Sequence, residues 1–273
     1  MGKYTEDDFC DLYEKKICDN CGKCLEEQGV DIRAIKIEDI AKTVEENKFL
    51  EEEYKKELLK AAEEEFKRCV KELGFKGALI MGHPKSGFLD QDEYDGIFAV
   101  AEELNVPIYL HPSPVQSDVY QAYYKGNYSD VTAATFACFG YGWHVDVGIH
   151  AIHLVLSGVF DRHPNLNMII GHWGEFVPFF LERMDDILFA DHLEHPISYY
   201  FKNNFYITPS GMLTKPQFDL VKAEVGVDRI LYSADYPYVE PEKLGTFLDE
   251  LDLTEEEKEK ISYKNGAKLL GLE

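Results

Sequence analysis

The sequence predicts a parallel α/β fold preceded by a cysteine-rich, helical N-terminal segment, and three observations carry that prediction. The texture changes near residue 76, from charge-rich helical periodicity to short β-rich runs. Five such runs alternate with helical stretches, the pattern of parallel strands joined by helical crossovers. No repeat of fixed period is present, which excludes a solenoid.

In chain order, Cys10, Cys18, Cys21 and Cys24 come first. Four thiols so spaced suit a Cys₄ zinc knuckle or an iron–sulfur cluster, because Cys-x2-Cys turns converge two sulfurs on one ion. From 40 to 73 the apolar positions Val44, Leu50, Tyr54, Leu58, Ala61, Ala62, Cys69, Val70 and Leu73 recur at three- and four-residue steps among Glu and Lys. That is an amphipathic helix or two, with Gly74 as the residue beyond its end and its acidic face in solvent. Strands are expected at 78–81, 107–111, 168–172, 204–208 and 230–233, all rich in Ile, Leu or Tyr. Helices are expected at 92–104, 147–159, 176–188, 216–225 and 254–264, the last opened by Thr254 and Glu257 as a capping box.

Composition narrows the function classes. The chain has 273 residues, 45% hydrophobic and 13% aromatic, with 20 Gly and 11 Pro. No 18-residue apolar run occurs, so collagenous, low-complexity and membrane-spanning classes are excluded. Lys and Arg number 28 against 51 Asp and Glu, a net charge of −23. Nucleic acid and anionic membranes are therefore poor partners. The opening MGKYTEDDFC has no basic stretch followed by an apolar one, so the expectation is a cytoplasmic protein whose six Cys are thiols or ligands rather than disulfides.

In a parallel α/β barrel, chemistry gathers at the carboxyl ends of the strands. Three runs end in a potential ligand or base: His111-Pro112, His172-Trp-Gly-Glu175 and Asp235-Tyr-Pro237. Imidazole and carboxylate together suit Zn²⁺ or a similar ion. His83 is read first as a loop residue, with an approach to the site as the alternative; His144, His150 and His153 surround a helix start, with a ligand pair at 150 and 153, on one face, as the alternative to a structural role. Cys69 and Cys138 are read as core, and the Tyr-rich stretch 119–128 as loop packing or a lid over an aromatic substrate.

From about Phe66 onward the chain resembles the amidohydrolase-related family that includes the γ-resorcylate, 5-carboxyvanillate and aminocarboxymuconate semialdehyde decarboxylases. The phrases that carry the resemblance are RCVKELGFKGALI from Arg68, YLHP ending at Pro112, LSGVFDRHP from Leu156, GHWGE from Gly171 and SADYP from Ser233. The resemblance implies a metal ligand at His111, a ligand that also handles a proton at Asp235, a general acid/base at His172 held by Glu175, and an arginine near the site at Arg183. A neutral-range acid is what protonating a ring carbon requires, and His supplies it. Glu175 equally suits the simpler task of complementing a helix N-terminus.

The family also implies a first strand ending in Glu-x-His or His-x-His, yet the first His here is His83. Five strands are counted where a closed barrel needs eight. The expected architecture is therefore a (β/α) TIM-like barrel, incomplete or rearranged at its N-terminus, with residues 1–39 as the Cys-rich segment and 40–273 as the barrel region. The open edge is expected to be covered by the helical region 40–73 or by a second copy. The expected function is metal-dependent decarboxylation, or hydrolysis, of a small carboxylated aromatic or ring compound, with Zn or Mn at the barrel site and a homo-oligomeric assembly. The alternative is a catalytically silent relative that binds a ligand or a partner.

Overall fold

The computed structural model describes residues 44–84, 87–240, 242 and 244–272. The boundary expected at 39/40 and the four N-terminal cysteines lie outside those residues. The chain divides into two compact units, Met1–Glu57 and Leu58–Glu273. In the first unit the described residues, 44–57, are helical and belong to α1, Val44–Lys71.

The second unit is built on a sheet of four parallel strands in sequential order: β1 (Ala78–Met81), β2 (Ile108–His111), β3 (Met168–Ile170) and β4 (Phe205–Ile207). Register runs straight across, with Leu110 opposite Ile170 and Ile170 opposite Ile207. A parallel bridge from Ile207 to Ile230 marks a fifth strand position. All five expected strand sites are therefore in the sheet, the fifth reduced to a single bridge.

Helices follow the strands: α2 (Asp95–Glu103), α3 (Asp130–Ala137), α4 (Gly142–Leu156), α5 (Val177–Ile187), α6 (Ile197–Asn203) and α7 (Lys215–Val225). α4 starts five residues earlier than its apolar pattern indicates, because Trp143 and His144 look like loop residues yet open it. Thr254 and Glu257 form the expected capping box.

The core lies between sheet and helices. Ile108, Leu110, Met168, Ile170, Phe205 and Ile207 are fully buried against Phe98, Ala101, Ala151, Leu154, Phe201 and Phe218. This near-continuous apolar packing is what a parallel sheet covered by crossover helices requires. β1 is the exception: Leu79 and Met81 are 56% and 65% exposed. They share a face with Tyr109 and His111, and among the described residues no further strand continues the sheet beyond β1. Within this unit the last turns of α1 pack on α2: Lys67 and Lys71 pair with Glu103, and Glu63 lies against Gly96. Cys69 and Cys138 are half-buried free thiols.

Candidate active site

β3 ends at Ile170, and the chain then turns through five consecutive residues with positive φ: His172 (46°), Trp173 (57°), Gly174 (83°), Glu175 (51°) and Phe176 (67°). For the four that carry a Cβ, the left-handed region costs roughly 1 kcal/mol or more each, so surrounding contacts must hold the turn. Trp173 supplies most of them. Its backbone N–H donates to the Thr208 carbonyl (2.9 Å), its indole N–H donates to the Met212 carbonyl, and its ring lies edge-on to Phe218. α5 then starts with Pro178 in its first turn, where a missing N–H costs nothing.

The turn aims two side chains at one another. Glu175 is fully buried, and its Oε1 takes the His172 Nδ1–H at 2.6 Å. Its other oxygen, Oε2, takes the Nδ1–H of His144 on α4 at 2.8 Å. A buried carboxylate accepts, so each bond fixes the proton on Nδ1 of its imidazole. Among the described residues His172 Nε2 has no protein partner, and His172 lines a cavity of about 660 Å³. Aromatic and aliphatic side chains dominate its wall, Phe139, Trp143, Phe176, Phe179, Met212, Leu220 and Val239 among them, and Asp235 enters from the fifth strand position. That volume suits a small organic molecule.

Burial pushes the His144 imidazolium toward deprotonation, but its bond to Glu175, the Glu175 charge, the Phe139 carbonyl and Asp235 outweigh burial and raise its pKa above the ordinary His value. Ser210, which lines the cavity, joins Tyr109 Oη and Thr208 Oγ1 through its Oγ in a chain of hydroxyls at 3.1 and 2.8 Å. Burial, ahead of every other influence, raises the Tyr109 phenol.

Not every expected residue reaches this cavity. His172, Glu175 and Asp235 line it; His111 and Arg183 do not. His111 ends β2 with its Nδ1–H on the Pro112 carbonyl at 2.7 Å, which leaves Nε2 as its ligand atom. Arg183 is exposed on α5. His83, His150 and His153 fasten the loop after β1 to α4: His83 to Asp146 at 3.0 Å, the Leu89 N–H to His150 Nε2 at 3.2 Å, His153 to Asp90 at 2.9 Å. They are tethers, and no ligand pair forms at 150 and 153.

His144, His172 and Glu175 have the donor types of a metal site. Their spacing argues otherwise. Two donors about 2.1 Å from a tetrahedral ion stand about 3.4 Å apart. Nδ1 and carboxylate oxygens at 2.6 and 2.8 Å share protons.

A TIM-barrel-like parallel sheet with a cleft at the carboxyl ends of its strands is the class of protein that fold and site define. Residues 58–272 match the amidohydrolase family, and the chain belongs to it. It is 37% identical over 218 residues to the decarboxylase orsB of Emericella nidulans, an overlap of 77% of this chain and 66% of that one. A Staphylococcus aureus crystal structure provisionally called an amidohydrolase superposes with TM-score 0.77 at 80% identity, covering 78% of this chain and 70% of that one. The dihydroxybenzoic acid decarboxylase of Polaromonas sp. JS666, solved with manganese and the inhibitor 2-nitroresorcinol, gives TM-score 0.70 at 28% identity over 78% of this chain and 66% of that one. The chain thus spans about two thirds of the length of such relatives.

Proposed function

We propose that this chain is a carboxy-lyase for a small carboxylated aromatic ring, with His172 as the acid. The observation that carries the reading is an imidazole whose Nδ1–H is fixed by a buried carboxylate and whose Nε2 opens into an aromatic-walled cavity. The decarboxylase relatives support the reaction class.

The chemistry balances simply. From the imidazolium form of His172 the Nε2 proton moves to the ring carbon bearing the carboxylate, leaving the neutral ring with its Nδ1–H on Glu175; the bond to that carboxylate breaks, and its electron pair restores the aromatic ring as CO₂ leaves. One proton is consumed per turnover, and solvent returns it to His172. Glu175 keeps the imidazole in the tautomer and orientation that this transfer needs. In this reading Asp235, which lines the cavity, takes or returns the hydroxyl proton of an ortho-hydroxylated substrate.

The Polaromonas relative holds manganese. Among the described residues, His111 and Asp235 are the candidate donors here, two against the three protein ligands a catalytic ion ordinarily keeps. His111 also stands outside the cavity that Asp235 lines. The described residues therefore do not complete a metal site, and the proton steps are assigned to side chains alone.

The test is CO₂ release from 2,6-dihydroxybenzoate and related hydroxybenzoates, with and without added Mn²⁺ or Zn²⁺, and deuterium incorporation at the vacated carbon in D₂O. Turnover with deuterium at that carbon is expected. Tight binding of such acids without turnover would establish the silent, ligand-binding alternative instead.

A further inference from the structure

We propose that His144 is a positioning residue for the His172–Glu175 pair, holding the far oxygen of Glu175 so that the near one faces His172 at a fixed angle. The proposal rests on the acid role assigned above to His172. It concerns a residue 28 positions away on another element.

Three observations converge. First, both oxygens of Glu175 are occupied, each by a different imidazole, and the carboxylate has no exposed surface. With one partner removed, a buried charged oxygen would be unpaired and the side chain free to rotate. Second, His144 is itself held. Its Nε2 lies 3.1 Å from both the Trp143 indole N–H and the Phe139 carbonyl, and its ring stands edge-on to His172 with centroids 4.4 Å apart. Third, the same helix grips Glu175 at a second point. Gly148, one turn beyond His144, lies so close to the Glu175 carbonyl that a Cβ there would stand 2.4 Å from the oxygen. α4 thus fixes both the side chain and the backbone of a residue in a strained left-handed conformation.

The arrangement also assigns the protons. With Nδ1–H committed to Glu175, neutral His144 accepts the Trp143 N–H at Nε2, and protonated His144 donates there to the Phe139 carbonyl. Either form keeps the bond to Glu175, so the clamp survives a change in the charge of His144.

The experiment compares His144→Leu with His144→Asn, whose amide keeps a donor where Nδ1 was. Partners that orient a functional side chain are worth about 10- to 100-fold in activity. The Leu variant is expected to lose that much kcat with KM within about threefold, and the Asn variant to recover most of it. Imidazole NMR supplies a readout independent of turnover: the wild type should show low-field Nδ1–H protons for both His144 and His172, and loss of the first should move the second. A His172 resonance unmoved in the Leu variant, or equal kcat in Leu and Asn variants, would overturn the proposal. If the Leu variant does not fold, absence of the low-field His144 proton in the wild type does the same. A wild type inactive on every hydroxybenzoate refutes the acid role alone, since the NMR result still decides whether His144 holds Glu175.

Discussion

His150 makes the stability of this protein pH-sensitive in a calculable way. It is 1% exposed, accepts the Leu89 N–H at Nε2, and lies among Phe88, His83 and His153. Burial above all, with His83 and His153 adding and Asp90 opposing, lowers its pKa to about 3. In the unfolded chain the group titrates near 6.5. The folded value lies below the unfolded one, so the unfolded state takes up the proton first as pH falls. The stability His150 contributes is complete above about pH 6.5 and is lost progressively toward pH 3. By pH 5 the unfolded chain has gained RT ln(1 + 10^1.5), about 2 kcal/mol, a figure that hardly changes if the folded value were a unit higher. His150→Gln keeps an acceptor for Leu89 but cannot titrate. Urea unfolding at pH 7.5 and pH 5.0 should show the wild type losing about 2 kcal/mol more than the variant, roughly 1 M in midpoint at an ordinary slope. Other titrating groups, His144 with its opposite shift among them, cancel in that difference. Equal losses in the two proteins would refute the reasoning.

Other substitutions separate the parts of the site. Glu175→Gln puts an amide where one of two Nδ1–H donors needs an acceptor, and kcat should fall at least about 100-fold while ligand affinity by titration changes little. Gly148→Ala gains about 1 kcal/mol of helix propensity, but its Cβ meets the Glu175 carbonyl at 2.4 Å. Overpacking of about 1–3 kcal/mol should leave the protein equal or less stable in thermal melts, with lower kcat. Chelation that lowers turnover, with Mn²⁺ restoring it and Asp235→Asn holding less metal by elemental analysis, would add an ion to the scheme; turnover undiminished in metal-free protein is the result a scheme carried by side chains alone requires.

Much of this was legible in the sequence because strand positions and motif ends are local. Short apolar runs place β1 to β4 within a residue or two, although the strand expected to run to 172 ends at Ile170 and its last two positions belong to the turn. Periodicity could not show that all five residues of 172–176 are left-handed, since only Gly174 advertises that conformation and the other four are held there by Trp173 and α4. Nor could it find His144. The residue opens a helix beside a tryptophan, a position that reads as a capping or loop histidine, and its bond to Glu175 spans 31 residues. The same limit explains His150 and His153, whose spacing on one helix face invites a ligand reading, and His83 in the loop after β1: their partners are the Leu89 amide, Asp90 and Asp146. A histidine's role is set by what faces each ring nitrogen. Among the described residues His172 lines the cavity with its Nε2 unbonded to protein, whereas His144, which also lines it, and the buried His150 both have Nε2 bonded to protein, and His111 stands outside the cavity. That difference is what recommends His172 for the proposed acid role, and it resides in tertiary distances that no spacing rule encodes.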